Sequence, residues 1–408
     1  DQVRFAPGYT LRDAPDPALV DEAVALAREA GTAILCLGLT DLYESEAFDR
    51  PHMRLPANQN ALAEAVAAAC DRVIVVLFGG SAVELPWADR VKAILHMHLP
   101  GQAGGTAAAD LLFGAENPSG KLAETYPFRY EDVVSSSYYL QNPWQTPYRE
   151  SMYCGYRYFA SAGVPVRYPF GHGLSYTRFA YSDLQVRQTG PHAFEVTAVV
   201  TNVGDRDGAE VAQLYVAPRT GGAYRPAKEL KGFAKVPLRP GEARTVTFHL
   251  DRRAFAIYDP DRKDWVVEAG EYLLEVGASS ADIRLTARVE VEGVAPVRTP
   301  CSDWYYALQG VPSQQDFLTI HPVYPEYRPP TRGRFDLNSS INEMKESSLL
   351  FKLLYKVLER VVARGAGGKV DYENPSFRMM MHTAAENPIR ALVLFSSDQM
   401  PPHVAEGL

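Results

Sequence analysis

The chain has 408 residues, 46% of them hydrophobic and 22% charged, which is an ordinary globular composition with length for two or three cores. Its net charge of -8 argues against a phosphate-backbone partner, which calls for a basic face. Apolar runs such as residues 73–78 are far too short for a membrane-spanning helix.

Cys36, Cys70, Cys154 and Cys301 show no CxxC or metal-ligand spacing. Cys36 and Cys70 fall in or beside core segments and are expected as buried free thiols. No secretory leader is visible, but the chain starts at Asp1 without a Met, so the sequence leaves its compartment open.

Residues 1–17 are Pro-rich and irregular. Helical periodicity follows over residues 18–30, with Leu19, Ala23, Leu26 and Ala27 on one face. Residues 32–39 form a short apolar run expected to be a buried parallel strand, and residues 58–70 an Ala-rich helix. Residues 72–78 are continuous and β-branched, as in a strand buried on both faces. Gly79-Gly80-Ser81 breaks the chain before a third strand at residues 91–97, and a Gly-rich turn at 100–105 leads into a helix at 106–113. This alternation implies a parallel sheet covered by helices, an α/β sandwich. The Gly-rich turn lacks GxGxxG spacing and a GK[ST] ending, so its glycines are expected to serve close helix–strand packing rather than a phosphate.

Residues 131–162 are dense in Tyr and Trp, including Tyr138, Tyr139, Trp144, Tyr153 and Tyr156; such rings cover a sheet edge or stack on sugar faces. From residue 181 to 293 the pattern changes to short β-branched or alternating runs (194–200, 210–217, 244–250, 271–277) separated by turn signals, a β-sandwich of about seven strands. Residues 294–408 read as a linker, Pro/Tyr-rich at 322–330, then an amphipathic helix over 340–364 and an apolar segment at 389–395. The expected division is therefore 1–180, 181–293 and 294–408.

The chemistry concentrates in Glu44-Ser45-Glu46-Ala47-Phe48-Asp49-Arg50, which follows the first strand. In an open α/β sheet, ligands bind at the carboxyl ends of the strands. Charge clusters in loops are also common as plain solvated surface, and the residues by themselves leave both readings open.

Four stretches in order resemble glycoside hydrolase family 3, the β-glucosidase group. They are Tyr43-Glu44-Ser45-Glu46-Ala47-Phe48-Asp49-Arg50 with Leu55-Pro56 after it, Leu99-Pro100-Gly101-Gln102-Ala103-Gly104-Gly105, Asn117-Pro118-Ser119-Gly120-Lys121-Leu122, and Tyr168-Pro169-Phe170-Gly171-His172-Gly173-Leu174-Ser175-Tyr176. Residues 181–293 resemble that family's fibronectin type III-like module. The resemblance implies a three-layer α/β/α sandwich, incomplete at its N-terminus because the chain begins within the domain, then an immunoglobulin-like β-sandwich and a helical tail.

The resemblance also implies a retaining, exo-acting β-glycosidase. Such enzymes need a nucleophilic carboxylate and a carboxyl group that acts as acid, then base. Glu46 aligns with the acid/base and Glu44 is the runner-up; Tyr43 and Phe48 are candidates for contacting sugar, and Asp49 and Arg50 for bracing the loop. In the family the nucleophile is an Asp in a Ser-Asp-Trp context on a TIM barrel, and no eight-fold βα repeat fits here. Ser302-Asp303-Trp304 has the letters but no apolar strand before it.

The expected partners are therefore a β-linked glycoside and a TIM barrel from the same gene or a partner chain, with a homo-oligomer possible. No cofactor and no metal are implied, and His172 among its glycines is expected to be a buried ring bonded to backbone. A non-catalytic carbohydrate-binding or scaffold protein built from the same modules is the alternative; an upstream barrel carrying its Asp would discriminate against it. A nucleotide-dependent enzyme is a third reading, tested by nucleotide titration.

Overall fold

A computed structural model describes residues 3–142, 145–323 and 328–395. Trp144 and part of the 322–330 linker lie outside them. Helix α1 (Pro17–Ala30) starts where Asp16 accepts hydrogen bonds from the Ala18 and Leu19 amides and Pro17 supplies a preset φ. Gly31, at φ 67°, ends it. Strands β1 (Ala33–Gly38), β2 (Val73–Phe78) and β3 (Ala93–His98) form a parallel sheet in that order. Helix α2 (Ala57–Ala69) connects the first two strands, and α3 (Gly104–Leu112) follows the third. β2 is central and buried, so its Val-rich composition meets apolar neighbours on both faces. Leu35, Leu37, Leu62, Val66, Val75 and Trp87 form the core around it.

β1 lies at an edge of this sheet, and one of its faces carries the exposed Ile34 and Cys36. The expectation of a buried Cys36 is therefore corrected, while Cys70 is buried. In the Gly-rich turn, Gly101 takes φ 69°, and a Cβ at Gly104 would lie 2.5 Å from Pro100 Cγ. That glycine lets the turn close on itself rather than packing helix against strand.

After the short pair β4 (Tyr126–Pro127) and β5 (Val166–Tyr168), with α4 (Tyr156–Ala162) between them, comes the sandwich. One sheet has β6 (Phe179–Gly190), β7 (Ala193–Asn202) and β10 (Ala243–Leu250), with β7 in the middle. The other has β8 (Gly208–Pro218), β9 (Glu229–Leu238), β13 (Gly270–Gly277) and β14 (Ile283–Val291). A hairpin of β11 (Ile257–Asp259) and β12 (Asp264–Val266) stands apart, preceded by α5 (Arg252–Phe255). Alternate residues of β7 are buried, and Phe194, Val196, Leu214, Phe248 and Tyr272 fill the space between the sheets.

Two of the family-like stretches meet at the junction of the α/β unit and the sandwich. The Asn117 carboxamide oxygen accepts from the Ser175 hydroxyl at 2.9 Å and the Tyr176 amide at 2.8 Å, while its nitrogen donates to the Asp207 carbonyl. Lys121 Nζ donates to the Gly173 carbonyl and pairs with buried Glu210 at 2.9 Å. The His172 ring is half-buried and stacks on Tyr168 at 5.1 Å, so stacking takes the place of the expected backbone bond.

The tail contains α6 (Trp304–Ala307), α7 (Gln314–Leu318), α8 (Ile341–Met344), α9 (Leu349–Gly365), α10 (Pro375–Glu386) and α11 (Ile389–Phe395). The single helix expected over 340–364 is two. Ser340 and Glu343 cap α8 reciprocally, and Ser347 and Ser348 turn back onto the Met344 carbonyl. Serines favour such turns over helix interiors.

Candidate active site

The site is built on the carboxyl end of β1. Gln59, 1% exposed and on α2, accepts from the Gly38 amide and donates to the Gly38 carbonyl, each at 2.8 Å. The last residue of the strand is thus fixed before the loop departs. Glu44 then reaches the turn after β2, accepting from the Gly80 amide and the Ser81 hydroxyl, both at 2.7 Å. A Ser45–Phe48 bridge closes a tight turn whose Ala47 sits at φ 75°, which leaves Glu46 exposed at its tip. Arg50 crosses beneath the loop and donates to the Ala82 carbonyl at 2.7 Å.

Two adjoining clefts of about 210 and 300 Å³ flank the loop. Tyr43, Phe48, Asp49 and Arg50 line both, and Glu44 lines the larger, while Glu46 stands outside both linings. Asp49 accepts a hydrogen bond from Tyr139, whose phenol is pushed up to about 12, first by burial and then by that carboxylate. Burial likewise raises Tyr43. Beneath the loop, burial lowers the Arg50 guanidinium against the opposing pull of Glu44 and Glu124, and it raises the Glu124 carboxyl despite Arg50.

Asp303 is elsewhere. Its carboxylate is 92% exposed, pairs with Arg298 at 2.5 Å and precedes α6, with no strand leading to it. Among the described residues no three His, Cys, Asp or Glu side chains cluster as a metal site, and no helix is long and apolar enough to cross a membrane.

Residues 7–176 match the glycosyl hydrolase family 3 C-terminal domain, and residues 210–280 the fibronectin type III-like domain. The chain belongs to glycoside hydrolase family 3. Thermostable beta-glucosidase B of Acetivibrio thermocellus is 39% identical over 99% of this chain and 49% of its own length. An exo-alpha-(1->6)-L-arabinopyranosidase of Bifidobacterium longum is 46% identical over 74% of this chain and 40% of its own length. A crystal structure of a Bifidobacterium adolescentis family 3 beta-glucosidase superposes with a TM-score of 0.69 at 45% identity, covering 74% of this chain and 45% of that one. A Kluyveromyces marxianus beta-glucosidase in complex with glucose gives 0.64 at 36% identity, over 68% of this chain and 34% of that one. The chain thus spans about half the length, or less, of these relatives.

Sequence reasoning missed the Gln59 clamp and saw Gly79-Gly80-Ser81 only as a break. The polar Gln inside an Ala-rich apolar helix was the available signal for the first. Nothing local announced the second, because Glu44 and Gly80 meet only through the parallel pairing of β1 and β2.

Proposed function

We propose that this chain is the acid/base-bearing part of a retaining exo-β-glycosidase of family 3, divided near residues 180 and 293. Glu46 is the general acid and then the base. The observation that carries this is the contrast within one loop: Glu44 has both oxygens engaged by the β2 turn, whereas Glu46 projects from a tight turn beside the clefts. A proton donor must reach the glycosidic oxygen, and both oxygens of Glu44 are already occupied as hydrogen-bond acceptors. Tyr43 and Phe48, which line both clefts, contact the sugar, and Asp49 and Arg50 hold the loop.

The nucleophilic aspartate comes from a TIM barrel outside these residues, since Asp303 is a surface group without a supporting strand. Exposed Phe5, Leu11, Leu99 and Phe113 on the α/β unit support such a packing partner.

The test is trapping with an activated 2-deoxy-2-fluoro-β-glycoside of the chain combined with its upstream sequence, followed by peptide mass analysis. Labelling of a barrel aspartate supports the proposal. Labelling of Asp303, or full hydrolysis by residues 1–408 alone, contradicts it.

A further inference from the structure

The tail returns to the acid/base loop. Neither family match extends past residue 280, yet α10 lies directly against Phe48. The Arg378 guanidinium sits 4.2 Å from the centre of the Phe48 ring, and its Nη1 donates to the Leu42 carbonyl at 2.8 Å. The His382 ring lies 5.2 Å from the same Phe48 ring. Arg378 and Glu373 thereby line the smaller cleft together with Tyr43, Phe48 and His52.

This wall is rigidly mounted. Asn374 caps α10 by accepting from the Phe377 amide at 3.1 Å. Phe377, Met381 and Ala385 are buried against Val362 and Ala363 of α9. Beyond α10, the Ile389 and Arg390 amides donate to the Ser339 and Leu337 carbonyls, tying the start of α11 to the segment before α8.

We propose that α10 is the wall of the leaving-group subsite, and that Arg378 and Glu373 select a hydroxylated leaving group, a second sugar, over an apolar one. The inference rests on Glu46 as the general acid. An acid that protonates the glycosidic oxygen stands between the terminal ring and the departing group. With the nucleophile on another module, the surfaces of this chain around the acid face the departing side. Arginine carries five donors in a fixed fork, and Leu42 takes one of them. Placed over the Phe48 ring, the guanidinium has its other donors left for sugar hydroxyls. Glu373, which lines the same cleft, accepts from those hydroxyls, and a leaving group without hydroxyls leaves both sets of hydrogen bonds unmade.

The test compares a β-linked disaccharide with a 4-nitrophenyl β-glycoside on the full enzyme, including its barrel. For Arg378→Ala, kcat/KM should fall at least about tenfold more on the disaccharide than on the aryl substrate, a difference of about 1.4 kcal/mol. Transfer of the glycosyl group to an added sugar, relative to water, should fall in parallel, because the acceptor occupies the same subsite. Arg378→Lys and Glu373→Gln should show smaller shifts in the same direction, and either decides the question if Arg378→Ala unfolds. Equal losses on both substrates, or unchanged acceptor transfer in all three variants, would overturn the proposal. If Glu46→Gln shows no leaving-group dependence, it is the acid assignment that fails instead.

Discussion

Glu44 and Glu46 stand two residues apart in one loop, yet Glu44 is locked to the Gly80 amide and Ser81 hydroxyl while Glu46 lies exposed at the turn's tip. Glu44 therefore works as a fastener between the ends of β1 and β2. Glu44→Gln keeps the shape but weakens two charge-assisted bonds, and should cost about 1–2 kcal/mol of stability. Activity should fall without recovery on adding azide. Thermal unfolding and kinetics of the same variant check both outcomes; rescue by azide would give the acid role to Glu44.

Gln59 is the second fastener. Gln59→Leu leaves the Gly38 amide and carbonyl buried without partners, at a cost of about 2–4 kcal/mol. Denaturant unfolding should show a lowered midpoint with an unchanged slope. A neutral result would mean that the loop is positioned from elsewhere.

At the junction, Gly171 has φ +81°, and a Cβ there would lie 2.1 Å from Gln213 Oε1. Gln213 is itself fixed, donating to the Gly171 and Ala278 carbonyls. Gly171→Ala should destabilise by about 1–3 kcal/mol or more, through backbone strain and displacement of that buried amide. Calorimetry should show the loss; an unchanged Tm would contradict the clamp.

Much of this was legible in the sequence for a physical reason: elements with one strong period declare themselves. The β-branched run of β2, the alternation in β7 and the glutamates after β1 carry their environments in their spacing. β9 did not, because Lys231, Gly232, Lys235 and Pro237 dilute its pattern. Cys36 was misread because an edge strand and a central strand look alike over six residues. The contact between Arg378 and Leu42, just before the glutamate loop, spans 336 residues, and no local pattern encodes it.

His96 gives a pH dependence. Its ring lies between the Leu77 carbonyl and the Tyr126 hydroxyl, beside His98. Burial, reinforced by His98 and opposed by the Leu77 carbonyl and Glu44, lowers it to about 4. The unfolded chain binds this proton near pH 6.5 and the folded chain only near 4, so stability rises with pH between those values. On acidification through that window the fold should lose up to about 2 kcal/mol from this group, allowing for its partial solvent access. His96→Phe should flatten the slope of Tm against pH there; an unchanged slope would remove His96 as the source.

In the proposed reaction, Glu46 donates the proton to the leaving group. It is tested by the rate of Glu46→Gln, in the enzyme combined with the proposed barrel, on aryl β-glycosides spanning good to poor leaving groups, with and without azide. The loss should be about 10²–10⁴-fold on poor leaving groups and much smaller in the first step on good ones. Azide should restore turnover and yield a β-glycosyl azide. A uniform loss across all leaving groups, with no azide product, would contradict it.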